Sequence, residues 1–365
     1  MPTPAFHGLF PYRALARCSA AALACALSMP LAAQPAQPSP PADAAKPDTQ
    51  LVESYRMAAD KGDAAAMNHL GLKYEYGLSV VQSDTQAVQW YRKDADKGNA
   101  AAMYNLGRMY YNGQGVDQNF TQAAQWYRKA ADKDYAPAMF NLGVMYANGR
   151  GVAQSYTQAV QWYRKAADKG DSEAMNNLGM MYYEGKGVAQ SDTQAVQWYR
   201  KAADKDNASS MYNLGVMYAN GRGVAQSNTK AVEWYRKAAD SGNAEGMNNL
   251  GVMYADGRGA AQSEAQALEW FLKAADKGNA LAMFNLGMKY ANGQGVAQSD
   301  SQAVQWFRKA ADKDNADAMF NLGMMYENGK GVAQSDTQAI EWYGKAARAG
   351  HEKAKTLLRK NRLSW

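Results

Sequence analysis

The chain of 365 residues holds only two cysteines, Cys18 and Cys25, and three histidines. So few thiols exclude a disulfide-stapled framework, and no His/Cys/carboxylate spacing suits a metal ion. Proline is nearly missing beyond Pro47, since nine of the ten stand at or before it and the tenth is Pro137. Long apolar runs are missing too: Cys18 to Ala33 is too short and too alanine-rich for a stable membrane span. A basic face is absent as well. The formal charge of +6 collects in residues 343–365, with seven Lys/Arg against one Glu, while residues 51–342 hold 30 basic and 31 acidic side chains. Bulk charge therefore gives no nucleic-acid footprint. What is present, 47% hydrophobic and 11% aromatic residues, excludes collagenous and wholly disordered classes.

The prolines set a leader apart from the rest. Arg13 and Arg17 precede the apolar run, which ends in small residues, the order of a secretory signal peptide. This reading divides the chain into residues 1–33 as signal peptide, 34–50 as a Pro/Ala-rich linker, 51–358 as a repeat array and 359–365 as a basic tail. It places the mature protein in the periplasm or outside the cell, without cysteine. A lipoprotein modified at Cys25, with Ala22 where such sites usually carry Leu, and an ordinary cytosolic terminus are the alternatives.

Beyond the leader the chain repeats itself. Leu-Gly pairs begin at Leu70, Leu106, Leu142, Leu178, Leu214, Leu250, Leu286 and Leu322, each 36 residues after the last, and Trp90 through Trp342 follow the same interval without insertion or deletion. Such a period marks an architecture in which each unit buries its apolar face only against its neighbours.

Within one unit, Ala102, Met103, Leu106, Met109 and Tyr110 fall at helical spacing until Gly113, a residue suited to a left-handed stop. A second helix opens at Asn119, where most units place Ser, and carries Ala123, Trp126, Tyr127, Ala130 and Ala131 before Asp134, or Gly170 in the next unit, ends it. Ser191 with Gln194 spells a capping box. Gly107 and Ala123 are expected to let helix backbones meet, with Met109, Tyr110, Trp126 and Tyr127 filling the space around them as core. Upstream, Tyr55, Met57, Ala58 and Ala59 match only the second helix, with Ser54 in place of Trp; downstream, Leu358 is followed by Arg359 instead of Gly. The array thus reads as capped by a half unit and by a charged last helix.

The motifs Leu106-Gly107, Tyr110, Gly113-x-Gly115-Val116 and Ala123-x-x-Trp126-Tyr127-x-x-Ala130-Ala131 resemble the Sel1-like repeat of the tetratricopeptide superfamily, over about residues 51–358. The resemblance implies an all-α, right-handed α-solenoid of about eight 36-residue helix-loop-helix repeats, and a role in bringing proteins together. Departures lie in the first unit, at Ser79 and Asp94, with looser packing expected at Asp94, and in the sixth, at Ala260.

Sites for chemistry are sparse. His69 stands where seven units have Asn, and His351 sits at a helix-cap position; both read as structural or solvated. Arg150, Lys186, Arg222, Arg258 and Lys330 lie between loop glycines, as an edge of cations or as solvated tips. Phe120 and Tyr156 open helices where other units are mostly polar, which suggests a small sticky patch.

One stripe of the first helix varies between units: Ala101 to Asp317 at one place, then Tyr104, Phe140, Tyr212, Phe284 and Phe320 with Asn176 and Asn248, then Arg108, Val144 and Met180. Resemblance to tetratricopeptide arrays places it on the inner, concave groove. Beside it run Asn105, Asn141, Asn177, Asn213, Asn249, Asn285 and Asn321. By the same resemblance, these amides form a ladder gripping a ligand's main chain, with the Tyr/Phe places taking side chains; the alternative is that each Asn ties adjacent helices together. The expected function is a non-enzymatic scaffold for extended protein segments, needing no cofactor, metal, nucleic acid or membrane span. A cell-wall glycan binder is a second reading. A weak β-lactam-binding or β-lactamase-like protein is a third, suggested by some secreted Sel1-like proteins, whose cysteine-rich repeats this chain lacks.

Overall fold

The computed structural model describes residues 48–363 and 365. The expected signal peptide and nearly all of the linker lie outside these residues. Among the described residues there are eighteen α-helices and no strand, in two compact units that divide after Lys205.

The first unit contains α1 (Asp48–Asp60), α2 (Ala64–Tyr76), α3 (Asp84–Asp96), α4 (Ala100–Asn112), α5 (Phe120–Ala131), α6 (Ala136–Asn148), α7 (Tyr156–Asp168), α8 (Ser172–Glu184) and α9 (Asp192–Ala203). The second contains α10 (Ala208–Asn220), α11 (Asn228–Asp240), α12 (Ala244–Asp256), α13 (Glu264–Asp276), α14 (Ala280–Asn292), α15 (Asp300–Ala311), α16 (Ala316–Asn328), α17 (Asp336–Arg348) and α18 (Glu352–Lys360). Within each unit every helix packs on the next in sequence, which makes each an all-α solenoid segment. The even-numbered helices up to α16 are the first helices of the repeats, here A, and the odd-numbered ones from α3 are the second, B. As expected, α1 is a lone B half and α18 a lone A half with Leu358 buried.

The sequence punctuates each repeat. Helix α4 is capped by Asn99, whose side chain accepts the amides of Ala101 and Ala102, and is closed by Gly113 at φ 70°, a left-handed residue whose amide reaches back to Met109. Helix α5 opens on Asn119, which accepts from the Gln122 amide at 2.9 Å. The capping box read at Ser191 is half right. Its hydroxyl accepts from the Gln194 amide, but its own amide donates to the Tyr182 carbonyl at 2.8 Å, which takes the donor that Gln194 would have used. The same stitch recurs from Asn119 to Tyr110 and from Ser335 to Tyr326.

Helix B ends earlier than its sequence suggests. Helix α5 stops at Ala131, and Asp134 takes a left-handed φ of 63° in the turn that follows. Helices followed by Asp134, Asp206 or Asp314 are 12 residues long. Those followed by a left-handed Gly, such as α7 before Gly170, are 13.

In the core the Leu-Gly glycines of helix A lie under an aromatic ring, a tyrosine except at Gly251 and Gly287, where it is Phe271 and Phe307. A Cβ built on Gly107 would stand 2.8 Å from Tyr127 ring carbons and 3.3 Å from the Ala123 carbonyl oxygen. Tyr91, Tyr127, Tyr163 and Tyr199 are fully buried, so this column is the repeated filler. The tryptophans lie shallower: Trp126, Trp198, Trp234, Trp306 and Trp342 are half-buried. Each carries the ammonium of the lysine three residues on, such as Lys129 at 3.9 Å over Trp126. Asp94, where looser packing was expected, is fully buried in place of a core alanine, with neither carboxylate oxygen hydrogen-bonded.

Candidate functional site

The helix A stripe divides by unit. In the first, Tyr104, Phe140, Asn105, Asn141 and Asn177 are all buried. In the second, Asn213 is buried, while Tyr212, Asn249, Phe284, Asn285, Phe320 and Asn321 are half-buried. The Tyr/Phe places turn onto helix B of their own repeat: Tyr104 lies 5.6 Å from Tyr127, Phe140 5.9 Å from Tyr163, Tyr212 6.0 Å from Tyr235, Phe284 5.8 Å from Phe307 and Phe320 5.3 Å from Tyr343.

The asparagines differ in what they meet. The Asn141 amide lies near the hydroxyls of Tyr104 and Tyr127, and Asn177 near that of Tyr163, but the Asn141 amide and the Tyr127 and Tyr163 hydroxyls are buried without a hydrogen bond. Burial pushes both Tyr127 and Tyr163 well above the ordinary tyrosine range. Where helix B carries Phe271 or Phe307 there is no hydroxyl to meet. Asn285 then donates to Asn248 on α12 at 3.0 Å, and Asn321 donates to the Asp317 carbonyl one turn back. Asn105, although it follows Tyr91, also donates to an asparagine, Asn68 on α2, because the Tyr91 hydroxyl is taken by Glu75. These bonds match the helix-tying alternative at Asn105 and Asn285.

An ion pair missed in the sequence lies on the same face of the first unit. Glu75 and Arg108 meet on adjacent A helices at 2.5 Å, and Tyr91 donates to Glu75 at 2.7 Å. Burial opposes the Arg108 charge, but the Glu75 carboxylate outweighs it and the guanidinium holds its proton more tightly than usual. Also unread was the link from helix B to the tyrosine 18 residues later, as from Arg128 to Tyr146 and Arg164 to Tyr182. The signal was available, because Arg and Tyr share the repeat's period.

The remaining candidates are largely engaged. Arg150 donates to the Tyr111 hydroxyl, Lys186 pairs with Glu184 at 2.8 Å and Arg258 with Asp256 at 2.9 Å. Phe120 is half-buried, edge-on to Tyr111 at 5.0 Å, and Tyr156 packs on the core, so the sticky patch expected there is not exposed. His69 stacks on Tyr55. His351 caps α18, its Nδ1 accepting from the Ala354 amide, and stacks on Phe320 at 4.3 Å. Among the described residues no three His, Cys, Asp or Glu side chains are grouped to hold a metal. None of their helices is long and apolar enough to cross a membrane.

Helix pairs at a constant 36-residue period, a helix A glycine under a Tyr or Phe ring in every repeat and loop-to-helix stitches at a fixed register define an α-solenoid repeat protein. The Sel1 repeat family model matches eight consecutive segments, from residues 64–99 to 316–351. The chain belongs to the Sel1 repeat family, whose members are commonly protein-interaction scaffolds and generally non-catalytic. It is similar to a protective antigen present in uropathogenic Escherichia coli strains displaying an SLR fold, at 39% identity and TM-score 0.72, over 84% of this chain and 66% of that one. This chain thus spans just under two thirds of that relative. It is also similar to a Sel1 repeat protein from Oxalobacter formigenes, at 30% identity and TM-score 0.68, over 92% of this chain and 98% of that one. No curated protein matches the sequence.

Proposed function

We propose that this chain is a non-enzymatic scaffold that binds an extended protein segment on the helix A face of its second unit. The observation that carries the reading is the opening of that face at α14 and α16. There Leu281 is exposed and Phe284, Met288, Phe320 and Met324 are half-buried beside the amides of Asn285 and Asn321. The corresponding Phe140, Val144, Asn176 and Met180 of the first unit are buried. An amide supplies both the donor and the acceptor that an extended main chain needs, and the apolar side chains take the ligand's own. The exposed carboxylates Glu245 and Asp317 stand at the Leu281 position of the flanking repeats and favour a segment with a basic residue beside its apolar ones.

The Arg-apolar-small order of the leader supports a periplasmic or secreted location, and the description of one structural relative as a protective antigen fits a chain outside the cytoplasm. The test is capture from an envelope extract by the full chain, read by mass spectrometry, followed by affinity measurement on the captured protein. Asn285→Ala combined with Asn321→Ala should weaken binding by about tenfold or more with helicity intact. Unchanged affinity removes the two amides from the site. Retention of cell-wall fragments alone replaces the protein ligand by a glycan.

A further inference from the structure

The first repeat carries an apolar loop that no other repeat has. Tyr76, Leu78 and Val81 are 47%, 53% and 89% exposed. The second repeat has Asn112, Gln114 and Asp117 at these places, and the third has Asn148, Arg150 and Ala153. A polar loop serves the fold equally well, so packing does not require the apolar side chains. Tyr76 is also held in place, its hydroxyl engaged by Glu75 and Arg108.

The loop's position says which part of the chain is near. Val80 packs on the cluster that contains Val52 and Ala59 of α1. In later repeats the second loop glycine abuts the first residue of the preceding helix B, Gly115 against the Asp84 backbone and Gly151 against that of Phe120. Ser79 holds the corresponding place with the same left-handed backbone, φ 65°, on the side of the loop toward Asp48, the first residue of α1 and the point where residues 1–47 join, although its Cβ requires a looser approach than the glycines make. We propose that this loop is the docking site of the chain's own residues Gln34–Pro47, whose Pro and Ala side chains cover Tyr76, Leu78 and Val81.

Three side chains fall far short of the roughly 1,600 Å² that a standard interface buries, which argues against a second copy held here alone. A segment joined to the same helix needs much less, because tethering supplies a high effective concentration. Fourteen Pro-rich residues at about 3.1 Å each span roughly 40 Å, ample to reach a loop beside their own attachment point. A Pro-rich stretch in the polyproline II form fits an aromatic and aliphatic platform without a large ordering cost.

The test uses the full chain and a variant carrying Tyr76→Asn, Leu78→Gln and Val81→Asp, the residues of the second repeat, with matching melting curves checked first. Elastase cleavage within Ala42–Ala45 should be at least about fivefold slower in the parent than in the variant, given a segment docked most of the time. Equal rates overturn the proposal. Two further measurements say what takes its place if it fails: flotation of the parent, but not the variant, with phosphatidylglycerol vesicles assigns the loop to a lipid surface, and a parent dimer lost in the variant assigns it to a second copy.

Discussion

At the residue scale, Asp94 is the sharpest departure of the chain from its own pattern. Its place is held by Ala130, Ala166 and Ala202 in the following repeats, yet the carboxylate is fully buried with both oxygens unpartnered. Burial raises its pKa to about 6, and nearby Asp63 adds to the rise, while the Asn99 side chain and Lys97 pull the other way. A carboxyl whose folded pKa lies above its ordinary value of 3.8 costs nothing below that value. Its penalty grows as pH rises toward 6 and is complete above it. Asp94→Ala is therefore expected to stabilise the chain by about 1–3 kcal/mol at pH 8, with the gain vanishing near pH 4. Urea unfolding at the two pH values checks this, and a gain independent of pH would refute it. The substitution was legible in the sequence because seven aligned copies stand beside it. Its burial without a partner was not, since that depends on what surrounds the site.

At the element scale, the left-handed residues decide where helices stop and how closely repeats meet. Helix existence, the loop glycines and the caps were legible, because backbone conformation at a turn restricts residue type. The division of the asparagines was not: Asn105 and Asn285 reach an asparagine on the preceding helix A while Asn321 turns back onto its own helix, which depends on three-dimensional neighbours that the repeat position does not record. Two substitutions separate the conformational cost from the packing cost. Asp314 sits at φ 59° with an exposed side chain, so Asp314→Gly should stabilise by up to about 1 kcal/mol through relief of the left-handed strain. Gly151 is also left-handed, but a Cβ there would stand 2.2 Å from the Phe120 carbonyl oxygen. Gly151→Ala should thus cost at least about 2 kcal/mol, since neither backbone can give way. Thermal melts of both variants should move in opposite directions.

At the scale of the whole molecule, a solenoid unit has no single core, and its stability is a sum over neighbouring helices. A defect should therefore stay where it is made. The Glu75–Arg108 pair provides the probe, because the equivalent facing places hold Tyr111 with Val144 and Ala147 with Met180 in the next repeats, so each position accepts an apolar side chain. Arg108→Val alone leaves Glu75 buried with only the Tyr91 and Tyr76 hydroxyls beside it and no cation, and should cost about 3–5 kcal/mol. Adding Glu75→Ala removes the stranded carboxylate and should restore most of that loss, since a buried ion pair contributes little net stability against well-packed apolar residues. Amide hydrogen exchange gives the spatial readout. In the single variant, protection should fall across α2–α4, the helices that carry the pair and Tyr91, while α12–α18 keep the parent rates. Loss of protection spread evenly over all eighteen helices would instead mean that the repeats unfold as one cooperative body.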